Sequence, residues 1–161
     1  MRTLALGIGS SLRGDDAVGP LAAEALAAEG LPARAVTQLL PEHALELAEV
    51  ERVLFLDASR EAPPGAVTLQ RVGPVEPRPR VSHRLDPRSL LALCVALHGR
   101  APEGLVLALG AAQLEPGAGL SGPVATAWEA YLARARALLA GAPADGDPAA
   151  EGTAAEGARP G

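Results

Sequence analysis

The sequence predicts a three-layer α/β fold, in which a mostly parallel, twisted sheet of about five strands lies between helices on both faces. Short, continuous apolar runs such as Thr3–Ile8 and Arg52–Ala58 are typical of strands that are buried on both sides. These runs alternate with Ala- and Leu-rich segments whose apolar residues recur at helical spacing. The length of 161 residues corresponds to a single domain.

The elements are predicted in the order β-α-β-α-β-β-α-β-α. Gly7 and Gly9 stop the first strand, and Gly30 ends the first helix, which either Asp15 or Asp16 can cap. Strands are predicted at 3–8, 33–38, 52–58, 66–72 and 104–109, and helices at 17–29, 41–50, 85–98 and 123–140.

Proline and glycine mark the remaining boundaries. Pro-rich sequence surrounds the strand at 66–72, which favours an edge position. Asp86 followed by Pro87 combines an N-cap residue with a proline at the first helical position. Residues 141–161 are mainly Gly, Ala, Pro and acidic residues, so we expect a disordered tail after a single domain of residues 1–140.

Composition excludes several classes of protein. The net charge is −5, lysine is absent and aromatic residues make up 2%, which argues against a nucleic-acid binder. No run approaches the ~18 apolar residues of a membrane span, and the first residues do not resemble a signal peptide. Cys94 is the only cysteine, so a disulfide scaffold is impossible. We therefore expect a cytoplasmic protein without a membrane partner.

The loop after the first strand, Gly7–Asp16, presents glycine backbone and two adjacent carboxylates. It is not a dinucleotide loop, because Leu12 stands where the third glycine of that motif belongs. It is not a Walker loop, because the chain has no lysine. One acid is enough to cap the helix. A favourable interaction with the helix dipole, which stabilises negative charge at the N-terminus, is enough to account for both acids. Asp57 similarly ends the third strand, either as a turn residue or as part of a site.

His83 lies in a loop before a helix, after a Pro-rich connection, and taken alone it can be a surface residue. Because sites in such sheets form beyond the carboxyl ends of the strands, Asp16, Asp57 and His83 are expected at one end of the sheet. Two carboxylates and an imidazole form a plausible open metal site. His43 is expected at the surface and His98 near a helix C-terminus.

These residues resemble a known family. Leu6–Gly9 followed by Arg13–Gly19 (RGDDAVG) is similar to the opening signature of the hydrogenase maturation proteases, which trim the C-terminus of nickel–iron hydrogenase large subunits. The similarity continues in order through Phe55–Ala58, Ser82-His83 and Leu114–Ser121, and it spans residues 1–140.

The resemblance implies the same α/β fold and an endopeptidase that acts on a hydrogenase large-subunit precursor. It places the metal-contacting and catalytic positions on Asp16, Asp57 and His83. The nickel is expected to be supplied by the substrate as a recognition signal, and not to be permanently bound as a cofactor. It can also act as a Lewis acid.

The chain departs from the family pattern at two places. Ser10 stands where members usually have Asn, and Gln38–Glu42 replaces an Asp-Gly-Gly-Thr-type loop. The second departure leaves open an alternative, in which the chain is a non-proteolytic metal-binding or accessory protein on the same fold. Another small hydrolase on this scaffold is a third possibility, because a fold does not determine an activity.

Overall fold

The structure is a computed structural model that describes residues 1–75 and 85–144. Its strands are β1 (Thr3–Ile8), β2 (Ala33–Val36), β3 (Arg52–Ser59), β4 (Val67–Val72) and β5 (Glu103–Gly110). These five strands form one sheet in the order β2-β1-β3-β5-β4. All neighbouring strands are parallel except β4, which pairs antiparallel with β5 at the edge. The predicted mostly parallel α/β sheet and the edge position of its fourth strand are therefore confirmed.

Helices cover both faces of this sheet. They are α1 (Val18–Ala28), α2 (His43–Glu46), α3 (Pro87–His98) and α4 (Gly122–Leu139). Buried residues of α1 and α4 pack in one cluster with the sheet, and residues of α2 and α3 pack in a second cluster. Cys94 is fully buried in the second cluster. None of the helices, within the described part of the chain, is long and apolar enough to cross a membrane.

The second predicted helix is shorter than expected. Residues 43–46 are α-helical, Leu47–Glu49 is a 3₁₀ turn, and Val50 is already extended. The expectation that His43 lies at the surface is wrong. Its side chain is buried, and the cost of burying its polar Nδ1 is offset because this atom accepts a hydrogen bond of 2.8 Å from the backbone N–H of Leu40.

The start of α3 agrees with its sequence signal. The side chain of Asp86 accepts a hydrogen bond of 2.8 Å from the N–H of Ser89, with Pro87 at the first helical position. At the other end of the helix, His98 Nε2 lies 3.0 Å from the carbonyl oxygen of Ala44. This contact joins α3 to α2 on the second face of the sheet.

The C-terminal end of α4 is held by a buried arginine. Arg52 donates hydrogen bonds to the carbonyl oxygens of Leu138 and Ala142 and forms an ion pair with Glu103. Ala144 is buried as well. The remainder of the predicted tail, residues 145–161, lies outside the described residues.

Two glycines allow β1 and α1 to approach each other closely. A Cβ on Gly7 would lie 2.0 Å from the carbonyl oxygen of Gly19. A Cβ on Gly19 would lie 2.3 Å from the carbonyl oxygen of Ile8 and 2.5 Å from that of Leu56. Because these neighbours are backbone atoms of α1 and of the sheet, they cannot move aside as a flexible side chain can.

Gly19→Ala is therefore expected to lower the free energy of unfolding by at least ~2 kcal/mol, since the new methyl group overpacks the sheet. Gly122→Ala is the matched control, because no atom lies within 4 Å of the Cβ that it adds at the start of α4. Urea denaturation measures both variants. Equal unfolding midpoints for the two variants would contradict this account of the packing.

Candidate active site

A cavity of about 450 Å³ lies at the carboxyl ends of β1 and β3. Asp16 and Asp57 both line it. Asp16 belongs to a 3₁₀ turn, Gly14–Ala17, between β1 and α1, and Asp57 lies near the end of β3. Because β1 and β3 are parallel neighbours, their carboxyl ends bring the two acids to the same edge of the sheet. Two of the three predicted site residues are thus in one cavity.

The Asp16 carboxylate is held by the loop that precedes it. Its Oδ2 accepts a hydrogen bond of 2.8 Å from the backbone N–H of Ser10. Gly9 makes this approach possible, because its φ is +143° and a Cβ there would lie 2.1 Å from the carbonyl oxygen of Asp16. Ser10 contributes only its backbone N–H to this hydrogen bond. A Ser side chain in place of the Asn of the family therefore leaves the bond unchanged.

The Asp57 carboxyl is half-buried and lines the cavity. Burial raises its pKa to about 6, and the nearby charge of Asp16 acts in the same direction. A hydrogen bond from the N–H of Ala58 and the positive charge of Arg60 oppose this increase. A carboxyl with such a pKa can exchange a proton close to neutral pH.

Asp15 has a structural role that the sequence analysis did not find. Neither Asp15 nor Asp16 caps α1 through its side chain, so the capping prediction is wrong. The fully buried Asp15 carboxylate instead accepts hydrogen bonds from the N–H groups of Ala112 and Gln113, and from both the N–H and the hydroxyl of Ser121. It therefore ties the loop after β1 to both ends of the loop that leads from β5 to α4.

The hydrogen bonds of Asp15 determine the sign of its pKa shift. Burial by itself raises the pKa, but the bonds from Ser121, Ala112 and Gln113 outweigh burial, and the pKa lies below the ordinary 3.8. Asp15 therefore stabilises the fold above that pH, and its contribution is lost as the pH falls through the lowered pKa.

His83 lies outside the described residues, so its position relative to the two carboxylates stays a prediction. The described chain resumes at Leu85, which lines the cavity together with Asp86 and Pro87. Within residues 1–75 and 85–144, no three His, Cys, Asp or Glu side chains form a cluster that could hold a metal ion. Asp16 and Asp57 are oxygen donors of the kind that bind divalent cations in an open site.

The cavity has further lining residues that the sequence analysis did not propose as site residues. Arg13 precedes the 3₁₀ turn, and Arg60 follows β3 directly. The loop after β2 contributes Thr37, Gln38 and Leu39. The sequence did contain a signal for Arg60. It directly follows the strand that ends near the site carboxylate Asp57, so it could have been expected at the same edge of the sheet.

The loop after β2 is attached to the segment that leads into α3. Leu39 is buried and forms an isolated antiparallel bridge with Leu85. Gln38, the first residue of the segment that departs from the family pattern, lines the cavity beside them. The departure in sequence therefore lies at the wall of the candidate site.

Asp15→Asn is expected to lower the free energy of unfolding by about 3 kcal/mol, because the amide nitrogen cannot accept and leaves buried donors without a partner. Ser121→Ala removes only the hydroxyl donor and is expected to cost about 1 kcal/mol. Denaturant melts at neutral pH measure both variants. The opposite ranking, or a negligible effect of Asp15→Asn, would refute this role for Asp15.

Asp57→Asn is expected to stabilise the fold at pH 7. A pKa of about 6 in the folded state, against an ordinary 3.8, means that the wild type loses stability as the pH rises through this interval. The variant avoids that loss, so its advantage is expected to reach about 2 kcal/mol at pH 7, allowing for partial exposure. The advantage should shrink as the pH falls toward 3.8.

Unfolding free energies measured across this range test the prediction. Glu49→Gln is the control, since Glu49 is an exposed residue that pairs with Arg2 at the opposite end of the sheet. A constant difference between Asp57→Asn and wild type at all pH values would show that the Asp57 pKa is not raised.

Several solved structures of similar fold are hydrogenase maturation proteases. The NiFe hydrogenase maturation protease HybD from Thermococcus kodakarensis aligns with a TM-score of 0.65 and 23% identity, over 86% of this chain and 99% of its own. The hydrogenase maturating endopeptidase HybD from E. coli aligns with a TM-score of 0.63 and 23% identity, over 88% of this chain and 94% of its own.

A third similar structure is the NiFe hydrogenase maturation protease HycI from Thermococcus kodakarensis, with a TM-score of 0.65 and 21% identity over 86% of this chain and 92% of its own. No family model and no curated protein sequence matches the chain. The identities are low, but the alignments span nearly whole chains. This protein therefore has the fold of the hydrogenase maturation proteases HybD and HycI, the family that its sequence motifs resemble.

Proposed function

We propose that this protein is an endopeptidase that removes the C-terminal extension of a nickel–iron hydrogenase large-subunit precursor. The observation that carries the proposal is the meeting of Asp16 and Asp57 in one cavity at the carboxyl end of the sheet, in a chain with the fold of maturation proteases. The opening signature Arg13–Gly19 supports it from the sequence.

The nickel of the precursor is part of the substrate in this proposal. Asp16, Asp57 and His83 are the residues that would contact it, and the two carboxylates are suitable hard donors. A metal ion held against the scissile peptide can polarise its carbonyl group. Cleavage would then wait until the nickel centre has been built, because the nickel completes the binding surface.

The protein's own side chains position the substrate and move protons. The backbone N–H of Ser10 and the close approach of Gly9 orient Asp16 toward the cavity. Whichever carboxylate of Asp16 and Asp57 does not ligate the nickel can take a proton from the attacking water and return it to the leaving amine.

The second candidate function is a metal-binding or accessory role without peptide cleavage. It is favoured by the loop after β2, where Gln38–Glu42 departs from the family pattern and Gln38 and Leu39 line the cavity. A changed wall at the candidate site can alter the substrate or abolish turnover. The two functions differ in whether a peptide is released.

The deciding experiment mixes the protein with a nickel-loaded large-subunit precursor and records intact masses. Release of one discrete C-terminal peptide is expected, and it should require nickel in the precursor. Asp16→Asn and Asp57→Asn should each lower the cleavage rate by about 10²-fold or more, as expected for removal of a group that acts in proton transfer or substrate binding.

Glu49→Gln is the control variant, because it makes the same change from carboxylate to amide on an exposed side chain far from the cavity. It should cut like wild type. An unchanged precursor mass, with a precursor that another maturation protease can process, would refute the endopeptidase and favour the accessory role.

A further inference from the structure

The guanidinium groups of the two cavity arginines, Arg13 and Arg60, form no hydrogen bond or ion pair within the described part of the chain. Most other described arginines form ion pairs or bond to carbonyl groups, as Arg136 does with Glu29 and Arg100 does with Ala48. By contrast, no hydrogen bond or ion pair joins the guanidinium group of Arg13 or of Arg60 to another residue among residues 1–75 and 85–144. Both side chains line the cavity.

The backbone of each arginine is fixed although its side chain is exposed. Ser59 directly precedes Arg60, and its hydroxyl accepts hydrogen bonds from the N–H groups of Glu61 and Ala62, which follow Arg60. The carbonyl oxygen of Arg13 accepts a bond of 3.0 Å from the N–H of Asp16. Both arginines thus lie in hydrogen-bonded turns that follow the neighbouring strands β1 and β3, and they line the same cavity as Asp16 and Asp57.

The chemistry of the guanidinium group indicates the ligand. Its planar array of donors matches a carboxylate in a bidentate geometry. The cavity already has the carboxylates Asp16, Asp57 and Asp86, so a multiply charged anion such as phosphate would be repelled. A flexible peptide can instead present a single carboxylate to Arg13 and Arg60. The main chain of that peptide can lie beside Asp16 and Asp57 at the same time.

We propose that Arg13 and Arg60 form a carboxylate-binding subsite for the peptide that the enzyme cuts. This inference rests on the proposed function and deepens it, since it names a chemical feature by which the substrate is selected. The carboxylate is either an acidic side chain near the scissile bond or the C-terminal carboxylate of the extension. Both present the same group to the arginines.

Peptide binding tests the subsite without requiring cleavage. The probes are three hexapeptides of Ala and Gly, each labelled at its N-terminus with an uncharged BODIPY dye: one with a single Glu and an amidated C-terminus, one with Gln and a free C-terminus, and one with Gln and an amidated C-terminus. Fluorescence anisotropy measures their affinity for wild type, Arg13→Gln, Arg60→Gln and the control Arg2→Gln. Arg2 pairs with Glu49 at the opposite end of the sheet, so its variant matches the change in net charge.

At least one acid-bearing peptide is expected to bind wild type more tightly than the neutral peptide. Arg13→Gln and Arg60→Gln should each weaken that binding about fivefold, as expected for one partly exposed charge pair, and Arg2→Gln should not. Which acidic peptide binds identifies the source of the carboxylate. Equal binding of all three peptides by wild type, or wild-type affinity in both cavity variants, would overturn the subsite.

The cleavage assay separates this result from the proposed function. Nickel-dependent cleavage that proceeds at wild-type KM in both arginine variants would overturn the subsite and leave the endopeptidase standing. Arginine-dependent peptide binding without any cleavage would refute the endopeptidase and retain the subsite.

Discussion

The buried carboxylate of Asp15 is the interaction on which the candidate site depends. It joins the turn after β1 to both ends of the loop between β5 and α4, through donors on Ala112, Gln113 and Ser121. Because Asp15 is turned into the protein, the next residue, Asp16, can face the cavity. One acid of the pair therefore organises the structure, and its neighbour is left free for chemistry.

The glycines of β1 make this arrangement sterically possible. Gly7 and Gly19 bring the strand and helix α1 within a distance that no side chain would allow. Gly9 likewise lets the main chain of Asp16 approach β1, because a side chain at this position would collide with the Asp16 carbonyl oxygen. The tight turn places the start of α1 directly above the carboxyl ends of β1 and β3. The site is thus built on the rigid centre of the sheet, which favours precise positioning of its side chains.

We infer that the acidic and the basic side chains of the cavity have different functions. Burial and the proximity of Asp16 raise the Asp57 pKa toward neutrality, and the charge of Arg60 limits that increase. This same arginine forms no hydrogen bond or ion pair within the described chain, so its donors are available to a ligand. The aspartates are suited to a cation and to proton transfer, and the arginines to an anion. Their proximity makes the cavity suited to a substrate that carries both kinds of charge.

The sequence by itself determined the order of the elements, the mostly parallel sheet, the edge strand and the location of Asp16 and Asp57 at one end of it. These follow from local signals: apolar runs, helical spacing and the residues that end each strand. Only the tertiary structure decided that Asp15 binds a loop about a hundred residues away and does not cap α1, that His43 is buried, and that Arg13 and Arg60 share the cavity. The reason is physical: the burial of a polar group and its partners depend on segments distant in the chain, which no local pattern records.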